Sequence, residues 1–390
     1  MASEECALKD GAGDNSAYGK LGWRIVSTNH DDYEKERPGL LVSMLVGLVA
    51  AFIAGAAVAT WPKDPDLAGV RPKYAAVIET REEYVCGVNQ CVEVTARLND
   101  GKIVPLGSFG TSSPIGSLPE KTAIILGYEK ATDTYLYYDR DRRVNLVWLA
   151  LVFIIMLVFF ARIRGLLAVA SLTLSVLFMY YYTAPALASG SNPVTISLIT
   201  AATVAVGTTL MSHGYNLTSS LAVLSMVAAI LVSWVVAVAV FPVFGLTGGM
   251  EESAQYASYL FGGLDLVGIL IGGALIGAVG ALDDVVLTQI TTVRELSVHG
   301  DRTSTIKAAM RVGRTHVVSS TNTLAMAYLS ASMPLLLLFA ATETGAGLVL
   351  SSEEIVVEIL RMFIGTAGLV LSVPLATILA AFAYAKNRAE

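Results

Sequence analysis

Apolar residues in this chain come in long blocks broken by short polar punctuation, a pattern expected of helices that cross a bilayer. Read by length, the blocks predict about eight spans of roughly 17–25 residues each. They run Gly39 to Thr60, Val144 to Ala161, Leu166 to Thr183, Val194 to Met211, Leu217 to Phe241, Leu264 to Ile290, Val317 to Ala341 and Ile359 to Tyr384. Only Arg162-Ile163-Arg164-Gly165 separates the second span from the third, which requires a very tight turn. A polar tail, residues 1–38, precedes the first span, and residues 386–390 follow the last. The tail has no apolar core or cleavage site of a secretory signal, so the first span is expected to stay as an anchor.

Residues 61–143 depart from this pattern. KYAAVIET and CVEVTARL alternate apolar and polar, and KTAIILGY and DTYLYYD are rich in β-branched and aromatic residues. Asn99-Asp100-Gly101 is a strong hairpin-turn signal between CVEVTARL and KIVPLGSF. Five or so short strands in this length predict a small SH3- or OB-like barrel. The expected fold class is therefore a mainly α membrane protein. A seven-helix bundle over 144–385 follows the first span (39–60), with a small β-barrel domain at 61–143 between helices 1 and 2.

Composition agrees: 15% of residues are charged and 54% apolar, whereas soluble proteins average about 25% charged. The net charge of −6 comes without a basic patch, so no nucleic-acid partner is expected. The position of lysine and arginine sets an orientation. Lys35, Arg37, Arg162, Arg164, Arg294, Arg302, Lys307, Arg311, Arg314, Lys386 and Arg388 all fall on one side if the N-terminus is inside. Both termini are then cytoplasmic, and the β domain is extracytoplasmic. On that oxidising side Cys86 and Cys91 flank a plausible hairpin turn and are expected to form a disulfide. Their spacing, with no histidine near, is a poor zinc site. Cys6, in the cytoplasmic tail, is expected to be a free thiol without a role.

The sixth span carries the main candidate chemistry. Carboxylates inside a hydrocarbon layer cost roughly 2.5–3.5 kcal/mol each on insertion scales, so Asp283 and Asp284 need compensation. Gly273, Gly277, Gly280 and Asp284 share one helical face, and Gly268 and Gly272 form a second small-xxx-small pair beside it. Small residues admit a neighbouring helix, so this face is expected to be packed, with Asp284 pointing inward and Asp283 about 100° away. Two readings remain open. In one, Asp283, Asp284 and Gln289 form an ion- or proton-coupled centre. In the other, the aspartates sit at the cytoplasmic interface, hydrated or paired with Arg294 or Arg311.

The stretch 303–317 reads as an amphipathic interfacial helix, for which anionic lipid is the ordinary partner; His316 closes it. In span seven Asn322 is expected at the depth of Asp284 and facing it, with Thr323 nearby, and Pro334 is expected to kink the outer half. His213, Tyr215 and Asn216 read as a solvated turn, Asp265 as a helix N-terminal residue, and Glu358 and Arg361 as a pair three residues apart. There is no Walker A sequence, G-x-S-x-G, H-E-x-x-H or Cys/His cluster, so no enzyme activity, cofactor or metal is expected.

GALIGAVGALDDVVLTQITTVREL followed by GRTHVVSSTNTLAMAYLSASMPLLLLF resembles the YibE/F family of bacterial multi-pass membrane proteins. The resemblance covers about residues 40 to 385. It implies a bacterial cytoplasmic membrane location and a YibE-type β domain after the first span. The double aspartate with Arg314-Thr315-His316 looks like the actinobacterial form. The family carries no settled biochemical role. Two functions remain: a secondary transporter with Asp283, Asp284, Gln289, Asn322 and Thr323 at its polar centre, or a scaffold whose β domain binds an envelope partner. The small-residue faces serve intramolecular packing and a homo-oligomer equally well.

Overall fold

The computed structural model describes residues 73–86, 89–129, 134–298, 300–342 and 345–385. The expected span Gly39–Thr60, both polar tails and Cys6 lie outside the described residues.

Five antiparallel strands form one sheet: β1 (Lys73–Cys86), β2 (Asn89–Leu98), β3 (Ile103–Gly110), β4 (Ala123–Glu129) and β5 (Thr134–Arg140), in the order β3-β2-β1-β4-β5. Alternation dictates the buried face. Val92, Val94, Ala96 and Leu98 of β2 point inward with Ala76, Ile78, Val104, Ile124 and Leu126. Register shifts at Ile78/Thr80, Val94/Thr95 and Ile125/Leu126 add local twist, and the edge strands β3 and β5 approach each other, so the sheet is nearly closed. The Asn-Asp-Gly turn is where expected. Gly101 takes φ +84°, its N–H bonds Leu98 O at 2.9 Å, and Asp100 Oδ1 accepts from Lys102 N at 3.0 Å. The Cys86–Cys91 disulfide, with Cα atoms 5.7 Å apart, closes the β1–β2 hairpin. Asp141, after β5, accepts from the Arg143 side chain and backbone, which hold its carboxyl at about 2.

Helices make up most of the rest. They are α1 (Arg143–Phe178), α2 (Ala184–Ala188), α3 (Pro193–His213), α4 (Leu217–Val240), α5 (Glu252–Phe261), α6 (Leu266–Ser297), α7 (Arg302–Ala331), α8 (Met333–Ala341), α9 (Ala346–Val349) and α10 (Glu353–Tyr384). Among the described residues five helices are long and apolar enough to cross a membrane, and α7 with α8, bent by 58°, make a sixth. The expected second and third spans are the two arms of α1, which breaks at Arg162 (φ 54°, ψ −133°). A Cβ on Gly165 would strike the Leu157 carbonyl. Residues eight apart on a straight helix are about 12 Å from each other, so the chain turns back sharply there.

Three helix starts follow from their capping residues, whose side chains satisfy otherwise unpaired N–H groups. Asn192 accepts from Thr195 N, Asn216 from Ser219 N and Asp265 from Gly268 N. The helix expected at 303–317 leads into span seven without a break, as α7, because nothing between Arg302 and Ala331 breaks helical bonding; the bend comes only before Pro334. A short outer helix, α5, was not expected from the sequence, and it buries none of its residues.

The bundle core is built of α3, α4, α6, α7 and α10. Leu282, Val285, Val286 and Ile290 of α6 meet Met226 and Ala229 of α4 and Leu369, Val373 and Ala376 of α10. Small residues set the spacing. A Cβ on Gly272 would collide with Ser197 of α3, one on Gly368 with Ser233 of α4, and one on Gly313 with Val373 and Gln289. With no hydrophobic drive between helices in lipid, such close backbone packing supplies much of the association energy. Gly313→Ala is therefore expected to destabilise the bundle by roughly 1–3 kcal/mol through overpacking, read as a lower Tm of the purified protein.

Candidate functional site

The outward face of α6 is the starting point. Gly273, Gly277, Gly280, Asp284, Thr291 and Glu295 are its exposed positions, all small, polar or charged. The arm of α1 that faces outward is the opposite in kind, exposing Trp148, Leu149, Phe153, Ile155, Phe159 and Phe160. The expectation that Gly273, Gly277 and Gly280 pack against a helix holds only at Gly277, where a Cβ would stand 2.6 Å from a side-chain oxygen of α7. Nothing lies within 4 Å of a Cβ on Gly280, and one on Gly273 would meet only Arg361 Nη2 at 3.9 Å. Gly277 faces the Tyr328 hydroxyl. The close crossing instead uses the other pair, Gly268 and Gly272, against Pro193 and Ser197 of α3. Both faces have helical spacing of small residues, and only the position of α3 decides between them.

The two aspartates are also exchanged relative to expectation. Asp284 is exposed, while Asp283 is half-buried against α3, where Thr209 Oγ1 donates to its Oδ1 at 2.9 Å and His213 stands nearby. The buried stripe of α6 is centred on Leu282, Val286 and Gln289, so Asp283 lies on the α3 flank and Asp284 turns outward. Among the described residues neither aspartate is ion-paired with Arg294 or Arg311. Arg294 instead lies 5.5 Å from the Tyr384 ring and donates to Thr218 Oγ1 at 3.5 Å.

Both aspartates line a cleft of about 1180 Å³ between the turn of α1, the α3–α4 junction and the last turns of α6. His213, Tyr215 and Asn216, expected as a solvated turn, form part of its wall. A second cleft of about 560 Å³ lies at the other end of α6, lined by Gly273, Pro334, Glu251, Glu353, Glu358 and Arg361 among others. There Arg361 Nη1 donates to Glu358 Oε1 at 2.6 Å, the pair expected from the spacing, with Glu358 only 9% exposed. Glu353 holds the loop beside this cleft, accepting from Thr247 N at 2.8 Å and Gly248 N at 2.6 Å.

The remaining expected residues fall elsewhere. Gln289 is buried in the helix junction. Its Nε2 donates to Ala309 O at 3.1 Å and Thr377 Oγ1 at 2.7 Å, and Thr377 in turn donates to Val373 O, which fixes the amide's orientation. Gln289 thus ties α6 to α7 and α10, away from the aspartate cleft. Asn322 and Thr323 are exposed on α7, where Leu324 takes the buried position of that turn, and neither lines the aspartate cleft. Thr323 bonds back to Ser319 O at 3.1 Å. Sequence reasoning missed Thr209, since threonine in a membrane helix ordinarily bonds its own backbone, as the adjacent Thr208 does to Ala205 O. Their adjacency was the one available signal.

Among the described residues no group of three or more His, Cys, Asp or Glu side chains is arranged to hold a metal. The long apolar helices and the polar residues enclosed between them define a polytopic α-helical membrane protein. A family described as YibE/F-like protein matches residues 149–386, the helical part, and the chain belongs to that family. No curated protein and no solved structure matches it.

Proposed function

We propose that this protein is a secondary transporter or permease, with the glycine face of α6 as the floor of a solute path and Asp283 as its coupling carboxylate. The observation that carries the reading is the exposed series Gly273, Gly277, Gly280 and Asp284, in which Gly273 lines one cleft, Gly280 and Asp284 line the other, and Gly277 lies between them beside the Tyr328 hydroxyl. Eleven residues of helix span about 16 Å, roughly half the hydrocarbon layer. Lipid contact favours large apolar side chains, as on α1, whereas glycine and carboxylate favour water or solute. Charged groups at both ends, Asp283 and the Glu358–Arg361 pair, provide places for an ion or polar solute to stop.

Cysteine accessibility tests the path without knowing the solute. In membranes, Gly280→Cys and Gly277→Cys are expected to react with a membrane-impermeant maleimide, whereas Phe159→Cys on the outer α1 face stays unlabelled. Equal protection of all three would end the transport reading.

The same reading assigns the bacterial plasma membrane, both termini to the cytoplasm and the 61–143 domain to the outside, following the lysine and arginine distribution. Basic residues of 303–317 then meet anionic headgroups. A second reading, an SH3- or OB-like module that docks an envelope partner, is favoured by the exposed Tyr84, Val85, Leu136 and Tyr138 on the sheet.

A further inference from the structure

The aspartate cleft has a second pole that the transport reading does not use. Helix α4, 24 residues long, opens into it at Leu217. Among the described residues the N–H groups of Leu217 and Thr218 have no protein acceptor, while Asn216 takes the N–H of Ser219. Unsatisfied N–H groups and the helix dipole together attract an oxyanion. An independent observation points the same way. Ser219 lines the cleft, is fully buried, and its Oγ has no hydrogen-bond partner. A buried hydroxyl left unpaired is unfavourable, and a ligand oxygen would satisfy it. Arg294, touching Thr218, and Arg164 add positive charge to the lining.

A simple anion does not suit this cleft, because Asp283 and Asp284 line it too, with Glu295 exposed at its edge. Thr209, bonded to Asp283, also lies 3.4 Å from Met226 Sδ, seven residues or about 10 Å along α4 from Ser219, a gap that a short solute can bridge with a hydrogen bond at each end. The cleft therefore has a negative pole beside α3 and a positive pole at the start of α4. We infer that it binds a small amphoteric solute, with an oxyanion on the α4 N-terminus, Thr218 and Ser219, and an ammonium group several bonds away at Asp283 and Asp284. The inference rests on the reading of this cleft as one end of a solute path, and it names the class of solute. A phosphoethanolamine group has this chemistry, whether free or as a lipid headgroup.

Calorimetric titration of the full-length protein in nanodiscs tests it with O-phosphoethanolamine as the probe and ethyl phosphate and ethylammonium as single-charge controls. In phosphatidylglycerol discs the amphoteric probe is expected to bind about tenfold or more tightly than either control, the gain of one further charged hydrogen bond. Ser219→Ala is expected to weaken the probe and ethyl phosphate but not ethylammonium, and Asp283→Asn the probe and ethylammonium but not ethyl phosphate. Loss of probe binding in phosphatidylethanolamine discs identifies the headgroup as occupant; retention identifies a free solute. Ethyl phosphate binding as tightly as the probe, or no heat from any of the three at millimolar concentration, would overturn the inference. Binding and maleimide labelling are separate readouts. Labelled glycines with no binding refute the solute class alone, and binding with protected glycines refutes the path alone.

Discussion

Asp283→Asn is expected to slow transport by about ten- to a hundredfold while leaving the protein folded and abundant. Asparagine keeps the shape of the side chain and still accepts from Thr209, now bonded at 2.9 Å to the carboxylate, but it cannot carry charge. A hydrogen bond to a charged group contributes about 1.5–3 kcal/mol, so its loss in the rate-limiting complex slows flux by about ten- to a hundredfold. Stability should hold or rise, because the substitution removes a carboxylate that costs roughly 2.5–3.5 kcal/mol in a membrane helix. Asp284→Asn, at an exposed site with no hydrogen bond among the described residues, should have the smaller effect. Uptake of a panel of radiolabelled amphoteric solutes into proteoliposomes, with thermal unfolding of each variant in parallel, separates the cases. If Asp283→Asn unfolds the protein and Asp284→Asn does not, the carboxylate is structural.

The second large effect should come from glycines of equal spacing on one helix. At Gly272 a new Cβ would overlap Ser197, so Gly272→Leu has to push α3 away. Overpacking of this kind costs about 1–3 kcal/mol or more, and the variant is expected to be lost from the membrane or to melt well below the parent. At Gly280 nothing stands within 4 Å. Gly280→Leu should therefore fold with an unchanged Tm, and the new side chain should project over the proposed path and block uptake. Expression, Tm and flux for the two variants form a crossed pair, stability lost in one and activity in the other. Full uptake through Gly280→Leu would remove the glycine face from the path.

Much of the architecture was legible because membrane insertion and strand pairing leave local signatures. Apolar blocks marked the helices, Asp265 the start of α6, Pro334 the bend, and Asn99-Asp100-Gly101 the hairpin turn. The β domain read well because one of its faces is buried and the other wet, so alternation in CVEVTARL named the core. In α6 the same reasoning found the packed pair Gly268 and Gly272 but also counted Gly273 and Gly280 as packed, and it turned Asp284 rather than Asp283 inward. Lipid and helix core are both apolar, so the positions of leucine and valine carry no contrast that orients the helix about its axis.

What the sequence by itself determined is therefore the set of elements and the cost of placing Asp283, Asp284, Glu358 and Arg361 among apolar helices. Which of them meet was decided only by tertiary structure. Packing of α3 on Gly268 and Gly272 brings Thr209 to Asp283, and packing of α7 and α10 takes Gln289 out of the cleft. Leu324 occupies the buried position of its turn on α7 and leaves Asn322 and Thr323 outside. Helix rotation is a property of the contact between helices, and a single helix sequence with apolar residues all around does not contain it.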